Sequence, residues 1–280
     1  MLTALHASVA SWARPGARNE DFALAAADVV VVLDGAGLPA GLETGCAHGV
    51  PWFVGTLGAA LHRRAADRRT GLADCLAGAI RQTARAHAAD CDLANPLTPS
   101  AAVAVARTRA DRWEWLVLAD CTVALRLDEE GVRTVSDHRV SDVTTAQRAA
   151  LAAEVDRLGP AERAAVLARA QRRVMNTPRG YWAAAADPAA AAQALTGSVP
   201  LARLRAAALL TDGAARPVDD FAVCDWPDLL AELEDHGPRR IIARTRELER
   251  SDPDGLRWPR TKCHDDATAV LLLPRRSADG

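Results

Sequence analysis

Aspartate residues stand at the ends of several short apolar segments that lie far apart along the chain. Asp34 and Asp212 each directly follow such a segment and precede a glycine, whereas Asp265 and Asp266 directly precede the segment 267–273. The segment before the first of them, DVVVVL, is short and β-branched, which indicates a buried strand. A strand fixes the carboxylate at its end, and a neighbouring glycine lets the backbone turn sharply. The pattern predicts carboxylates exposed to ligands at a sheet rim.

Carboxylates that are brought together repel one another unless cations neutralise them, and oxygen ligands favour magnesium or manganese. Asn19-Glu20-Asp21, directly before another predicted strand, adds acids of the same kind. Taken singly, an aspartate-glycine pair after a strand is most often an ordinary turn. From the pattern alone, a shared metal site and a set of unrelated turns both stay open.

The rest of the chain is predicted to contain antiparallel strands and several helices. Short apolar runs predict strands at 101–107, 113–118, 122–127, 132–135, 206–210 and 267–273. Apolar residues at helical spacing and many alanines predict helices at 43–65, 71–90, 145–175 (with a break at Gly159-Pro160), 226–235 and 238–250. This mixture indicates an α+β chain, and the absence of repeats or linkers predicts one domain over 1–280.

The charge balance excludes several classes of partner. Basic residues number 34 and acidic residues 36, so the formal net charge is −2 and creates no field toward nucleic acid or an anionic membrane. No apolar stretch approaches the ~20 residues of a membrane helix, and the first residues lack the pattern of a secretory signal. We expect a cytoplasmic protein that binds neither nucleic acid nor membrane.

The cysteines and histidines do not show the common metal-binding spacings. The six cysteines are widely spaced and form no CxxC pair; they are Cys46, Cys75, Cys91, Cys121, Cys224 and Cys263. The seven histidines form neither HxH nor HExxH. These spacings predict free thiols in a reducing compartment rather than a zinc ribbon or a thioredoxin-like site.

Seven short motifs occur in an order that resembles the protein phosphatase 2C (PPM) family, as a divergent bacterial member. They are NED at 19–21, DGAG at 34–37, AAVAVA at 101–106, LADCTVAL at 118–125, SDH at 136–138, LLTDG at 209–213 and DDATAVLLL at 265–273. Each motif is weak alone, but their order is specific and covers nearly the whole chain. The resemblance implies a four-layer α-β-β-α sandwich, in which two mainly antiparallel sheets are flanked by helices.

The resemblance also assigns roles to individual residues. It implies that Asp34, Asp212 and Asp265 form the catalytic metal centre. The implied metal ligands are Glu20, Asp34, the Gly35 carbonyl, Asp212 and Asp265, and the supporting residues are Asp21, Asp266 and Asp137. The family uses Mn²⁺ or Mg²⁺, with a metal-bridging hydroxide that attacks the phosphorus. The region of about 138–200 corresponds to the variable flap that governs substrate choice.

Three departures from the family pattern concern the phosphate and the metals. The usual phosphate-binding arginine is replaced by Gly16, and Arg14 and Arg18 flank it as candidates. Arg216 stands where the family often has an aspartate that helps hold a third metal. Such an arginine would repel a third cation, and would pair with Asp137 or bind phosphate. We therefore expect two metal ions and no ordinary third site.

The function that the resemblance implies is hydrolysis of phosphoserine or phosphothreonine in proteins. Two alternatives stay open: a phosphoesterase that acts on a small metabolite or biosynthetic intermediate, and a non-catalytic module that keeps the fold to bind a partner. The clustered acids argue against the second alternative, because a binding module has no need of carboxylates that repel one another. The oligomeric state is not predicted.

Overall fold

The computed structural model describes residues 5–26, 28–128, 130–260 and 262–274. In this part of the chain, ten strands form two five-stranded sheets in which every pairing is antiparallel. The strands are β1 (Leu5–Trp12), β2 (Phe22–Ala26), β3 (Val29–Gly35), β4 (Ala101–Arg109), β5 (Arg112–Leu118), β6 (Thr122–Leu127), β7 (Gly131–Val135), β8 (Leu195–Pro200), β9 (Leu204–Leu210) and β10 (Ala267–Pro274). The first sheet has the order β1-β10-β9-β6-β7 and the second the order β2-β3-β4-β5-β8.

The described residues also form seven α-helices. They are α1 (Val50–Ala65), α2 (Leu72–His87), α3 (Arg139–Val155), α4 (Pro160–Val174), α5 (Asp212–Asp219), α6 (Trp226–His236) and α7 (Pro238–Ser251). α1 and α2 share an apolar core with the second sheet, and α6 and α7 share one with the first. A third core lies between the sheets. The predicted four-layer α-β-β-α sandwich is confirmed.

The sequence of β3 shows how the layers form. Successive residues of a strand point to opposite faces, so Val30 and Val32 pack in the core between the sheets. Val31 and Leu33 pack on the other face against the helices. Both faces of the strand are therefore buried, which explains its uninterrupted apolar sequence.

The first helix begins later than predicted. The prediction placed a helix over 43–65, but the helix begins at Val50 and residues 36–49 form an irregular loop. Gly45 and Gly49 have φ values of 69° and 79°. These left-handed conformations interrupt a helix, so the loop holds its shape through contacts with other segments instead.

Two further elements were not predicted. β1 mixes polar and apolar residues, because it lies at the edge of its sheet and is only partly covered on either face. Leu5 and Ala7 pack between the sheets, and Ala10 and Trp12 pack on the helix side. α5 begins at Asp212, where the Asp-Gly pair indicates a turn when read locally. The predicted helical region 145–175 begins earlier, at Arg139, and has its break at Pro160 as expected.

The helical pair α3–α4 is tied to the loop that follows β3. Arg172 of α4 is buried and donates hydrogen bonds to the carbonyl oxygen of Ala36 (2.8 Å), the carbonyl oxygen of Thr98 (3.1 Å) and the hydroxyl of Ser100 (2.6 Å). Three acceptors from two separate loops thus meet one guanidinium, which fixes α4 relative to the end of β3. Among the described residues, none of the helices has both the length and the apolarity that crossing a bilayer requires.

Candidate metal centre

Acidic residues lie at the ends of strands from both sheets. Asp34 is near the end of β3 in the second sheet. Asp212 follows β9 after one residue, Thr211, and Asp265 lies just before β10, so the first sheet positions both. Burial and the negative charge of Asp212 raise the pKa of Asp34 well above its ordinary value, and Asp265 contributes in the same direction. The three acids that the sequence singled out therefore lie within one electrostatic environment.

A close backbone approach places Glu20 next to the end of β3. The Gly35 N–H donates to the carbonyl oxygen of Glu20 over 3.1 Å. A Cβ atom at Gly35 would lie 2.3 Å from that oxygen, and one at Gly37 would lie 2.1 Å from Glu20 Oε2. Only glycine fits at position 35, because the clash there is with backbone, whereas a side chain at position 37 would displace the Glu20 carboxylate. The Glu20 segment is therefore held beside Asp34.

Asp21 is buried below this region and bridges the two sheets. Thr211 Oγ1 donates to Asp21 Oδ2 over 3.0 Å, and the Thr268 N–H donates to Thr211 Oγ1 over 2.9 Å. Burial raises the pKa of Asp21 well above its ordinary value, although the threonine hydrogen bonds oppose the shift. Asp21 thus connects β2 to the ends of β9 and β10, in agreement with a supporting position.

Asp266 fastens the N-terminal segment to the start of β10. Its carboxylate accepts from the Arg14 N–H (2.7 Å), from Arg14 Nη1 (3.1 Å) and from the Glu20 N–H (3.0 Å). Arg14 Nη1 also lies 3.1 Å from Glu20 Oε2. Of the two arginines that flank Gly16, Arg14 is therefore held among the acids, whereas Arg18 is exposed.

Asp120 belongs to the same group and was not among the predicted site residues. It follows β5 and the left-handed residue Ala119, whose φ is 63°. Burial, and then the charge of Asp212, raise its pKa to about 7. The signal was present in the sequence, because Asp120 also lies at the end of an apolar strand, with one residue between them. The prediction used the motif 118–125 only for the order of motifs and assigned no role to its aspartate.

Arg216 occupies a buried position among three acids. Its guanidinium lies 2.6 Å from Glu249 Oε1, 3.4 Å from Asp220 Oδ2 and 3.5 Å from Asp265 Oδ2. The same Glu249 carboxylate, which is 0% exposed, also accepts from Arg246 (2.7 Å) and contacts His264 Nδ1 (2.6 Å). Arg216 therefore pairs with α7 and the edge of the metal centre.

Asp137 has a different partner from the one considered in the sequence. Its carboxylate forms a two-point ion pair with Arg139, with Nε–Oδ1 and Nη2–Oδ2 distances of 2.8 and 2.5 Å. Arg216 does not contact it, and the two charges that were expected to face each other are each neutralised elsewhere. Asp137 and Arg216, the two residues that correspond to the family's usual third metal position, are thus each engaged in an ion pair within the chain.

The donor set fits divalent cations. Within the described residues, the side chains of Asp34 and Asp212 have no hydrogen bond and no ion pair. The Lys262 ammonium lies 3.1 Å from Asp265 Oδ1; burial lowers its pKa, but the nearby carboxylates outweigh this and raise it overall. Unpaired, mutually repelling carboxylate oxygens beside a backbone carbonyl are ligands suited to Mg²⁺ or Mn²⁺.

Cys121 is not suited to be a nucleophile. Burial raises the pKa of its thiol well above the ordinary value, and the charges of Asp34 and Asp120 act in the same direction. A thiol that stays protonated at neutral pH is inert.

The metal-free protein is expected to lose stability as pH rises. The pKa of Asp120 is raised to about 7 in the folded chain from an ordinary value near 3.8. The fold therefore favours the protonated carboxyl of Asp120. The stabilisation that this protonation gives to the folded state is complete below about pH 4 and is lost as pH rises through about 7. We expect Asp120→Asn to stabilise the chelated protein at pH 8 by roughly 4 kcal/mol, because each pKa unit corresponds to about 1.36 kcal/mol, and to flatten this pH dependence. Urea unfolding at pH 5 and pH 8 measures both effects.

Exposed Asp235 on α6 provides the matched control for that experiment. Asp235→Asn is expected to leave the pH dependence as it is in the unchanged chain. Equal slopes for the Asp120 and Asp235 variants would contradict the burial of a repelling carboxylate at the site.

Gly213 is expected to tolerate no side chain. A Cβ atom there would lie 1.9 Å from the Asp266 carbonyl oxygen. Gly213→Ala must therefore move α5 away from the start of β10, which separates Asp212 from Asp265. We expect it to lower Mn²⁺ affinity by about 10-fold or more, as measured by calorimetry. Gly55→Ala, in open space on α1, serves as the control, and equal affinities would contradict this packing.

Comparison with known proteins gives the same picture of the fold. The family model described as "Protein phosphatase 2C" matches residues 10–239. Among curated proteins, none matches the chain. The solved serine/threonine phosphatase PstP/Ppp of Mycobacterium tuberculosis is 17% identical, with a TM-score of 0.58, and the match covers 98% of this chain and 100% of that one.

Two other solved structures are similar over comparable lengths. The catalytic domain of PstP in complex with two manganese ions is 17% identical with a TM-score of 0.56, covering 96% of this chain and 98% of that one. Stp1 of Staphylococcus aureus, a serine/threonine phosphatase, is 13% identical with a TM-score of 0.55, covering 97% and 96%. At these identities the likeness concerns the fold. Because the family model spans most of its length, the chain belongs to the protein phosphatase 2C family, whose members are metal-dependent phosphatases.

Proposed function

We propose that this chain hydrolyses phosphoserine or phosphothreonine in proteins, at a centre that holds two Mn²⁺ or Mg²⁺ ions. The observation that carries the proposal is Asp34, a carboxylate that has no hydrogen bond or ion pair among the described residues and whose pKa is raised by burial and by the surrounding acids. Such repulsion is unfavourable in the folded protein unless a cation relieves it. Because the chain belongs to a family of metal-dependent phosphatases, a cation at this position would serve phosphate hydrolysis.

The proposed ligands come from four segments. Asp34 and the Gly35 carbonyl would hold the ions from β3, Asp212 and Asp265 from the first sheet, and Glu20 from the segment before β2. When bound, divalent cations supply a nucleophile from water at neutral pH and neutralise the phosphoryl oxygens. The protein contributes the fixed positions: glycines admit Glu20 to the centre, and Asp21 and Asp266 hold the segments around it.

Arg14 is the arginine that we propose to bind the substrate phosphate. Its side chain is 29% exposed and lies at hydrogen-bond distance from Glu20 and Asp266. A guanidinium has five N–H donors in a planar fork, so Arg14 keeps donors free for a phosphate while it pairs with these acids. Arg18, exposed beside it, is the weaker candidate, and Arg216 is engaged with Glu249 and not available for phosphate.

We propose two ions rather than three. Arg216 and Arg139 are cations at the two sides of the family's third position: Arg139 neutralises Asp137, and Arg216 is held there by the buried Glu249. The solved PstP catalytic domain contains two manganese ions, and the same number suits this chain. Calorimetric titration that resolves three binding events would contradict this count.

Phosphatase activity is expected to depend entirely on added metal. Purified protein with Mn²⁺ should hydrolyse para-nitrophenyl phosphate, and chelation should abolish the rate because the carboxylates alone have no means to activate water. Addition of Mn²⁺ in excess should restore it. A rate that survives chelation would contradict the proposal.

The substrate class is tested separately. Turnover of a phosphoserine and phosphothreonine peptide panel is compared with turnover of a panel of small phosphomonoesters under the same metal conditions. Higher kcat/KM on peptides supports the protein substrate. Selective turnover of one metabolite supports the small-molecule alternative instead.

A further inference from the structure

Four side chains outside the phosphatase centre converge on one point. Cys46 and His48 lie in the irregular loop 36–49, His87 is the last residue of α2, and Cys91 lies four residues beyond it. One potential ligand atom from each residue lies within 4.8 Å of all the others. The group joins the loop that follows Asp34-Gly35 to the end of α2.

The distances match the edges of a tetrahedron around a zinc ion. Zinc binds sulfur at about 2.3 Å and imidazole nitrogen at about 2.0–2.1 Å, which gives tetrahedral edges of about 3.8 Å between sulfurs and about 3.6 Å between sulfur and nitrogen. Cys46 Sγ and Cys91 Sγ lie 3.5 Å apart. Cys46 Sγ lies 3.7 Å from His87 Nδ1, and Cys91 Sγ lies 3.4 Å from His48 Nδ1.

The surroundings resemble those of a built site rather than a chance cluster. The Ala47 N–H donates to Cys91 Sγ over 3.4 Å, the kind of contact that stabilises a thiolate ligand. Asp92 N–H donates to the Gly45 carbonyl over 2.8 Å, which holds the two loops together. Trp52 stacks on His48 with ring centroids 4.2 Å apart and lies 5.2 Å from the ring of His87. An indole therefore covers one side of the cluster.

His87 is the buried member and has an unused polar atom. Its ring is 2% exposed, and its Nε2 has no hydrogen-bond partner among the described residues. The other ring nitrogen, Nδ1, faces Cys46 Sγ over 3.7 Å. Coordination of a metal through Nδ1 would give this buried imidazole a strong polar partner, which buried polar groups require.

We propose that Cys46, His48, His87 and Cys91 bind one zinc ion in a closed, structural site. Two sulfur and two nitrogen ligands in tetrahedral array favour zinc over the hard cations of the phosphatase centre. Four protein ligands leave no open position, so the ion has no catalytic role. Its effect is to fasten a loop of fourteen residues that has no helix or strand of its own and that begins beside the metal ligands at the end of β3.

Metal analysis of the full chain, purified under reducing conditions, tests the site. About one zinc per chain is expected, and the Asp34→Asn, Asp212→Asn double variant should retain it, because it removes only the other centre. Cys46→Ser and His87→Gln should lose almost all of it. Cys224→Ser and His236→Gln, which alter the same residue types elsewhere, should keep it. Zinc lost from the Asp34 and Asp212 variant but retained in Cys46→Ser would overturn the proposal.

Replacement of zinc by Co²⁺ gives a signature of the ligands themselves. Tetrahedral cobalt with thiolate ligands has a charge-transfer band and intense visible bands, which oxygen-ligated cobalt lacks. The bands should appear in the unchanged chain and be absent from Cys91→Ser. Their absence from the unchanged chain would overturn the proposal.

Thiol alkylation tests the site without any variant, so a failure of the variants to fold does not affect it. Mass spectrometry should find Cys46 and Cys91 protected in the zinc-loaded chain and alkylated after chelation. Cys224, which is half-buried as they are but lies outside the cluster, should react equally in both. A disulfide between the two cysteines, with four rather than six free thiols under non-reducing conditions, would overturn the proposal.

Discussion

Asp34→Asn is expected to lower phosphatase activity by about 1,000-fold. A metal centre lowers the activation barrier by several kcal/mol, and each 1.36 kcal/mol changes the rate tenfold. The same change should raise the melting temperature of the metal-free protein. The reason is that the pKa of Asp34 is raised by burial and by Asp212, so its ionised form is disfavoured in the fold at neutral pH. A neutral amide of similar shape removes that repulsion.

Three measurements distinguish this result from simple misfolding. Kinetics with para-nitrophenyl phosphate give the loss of activity, calorimetry gives the loss of Mn²⁺ binding, and thermal unfolding in chelator gives the gain in stability. Asp254→Asn, at an exposed position, should change none of them. If Asp34→Asn kept full activity and two-site binding, the assignment of the metal centre would be wrong.

Glu249→Gln is expected to destabilise the protein by about 3–5 kcal/mol, the range for breaking a buried ion pair from one side. Glu249 is 0% exposed and its two oxygens bind Arg216 and Arg246, which are themselves nearly buried. The amide cannot neutralise two guanidinium groups, so both are left buried with too little negative charge. Chemical denaturation at pH 7 measures the change.

The neighbouring helix position supplies the control. Glu247 lies on the same helix, is exposed, and pairs with Arg240 over 3.6 Å. Glu247→Gln should cost less than about 1 kcal/mol, as surface ion pairs do. Equal losses for the two variants would show that the Arg216–Glu249 pair is not a buried support of the fold.

Much of the fold could be predicted because its strands are buried on both faces. The runs at Val29–Gly35, Ala101–Arg109 and Ala267–Pro274 are nearly continuous in apolar residues, and such runs are identified locally. β1 was missed because a strand at a sheet edge is only partly covered and mixes polar with apolar residues. α5 was missed because Asp212-Gly213 resembles a turn until its packing against β10 is seen.

For the candidate site, the sequence could only single out residues. The strand-end position and the motif order pointed to Asp34, Asp212 and Asp265, because both signals are read from short segments, and their role in binding metal stays a prediction. The partners of Arg216 could not be predicted, since Glu249 lies 33 residues away on a helix whose orientation is fixed only by packing.

The sequence contains a pattern for the cysteine–histidine cluster, but it is not one of the common metal-binding spacings. Cys46-x-His48 and His87-x₃-Cys91 each bring a thiol and an imidazole close together in sequence. Searches for CxxC or HxH consider one residue type at a time and pass over such mixed pairs. What joins the two pairs is the position of α2 beside the loop 36–49, which is tertiary information.

The anchoring of α4 by Arg172 restricts how this enzyme family member can diversify. The guanidinium reaches the Ala36 carbonyl, two residues beyond Asp34. A sequence change in α3 or α4 that shifts this arginine would therefore also displace the backbone that carries the proposed metal ligands Asp34 and Gly35. Evolution or engineering can exchange the outer surface of the helical pair freely, but any graft that omits a donor at position 172 must rebuild the end of β3 as well.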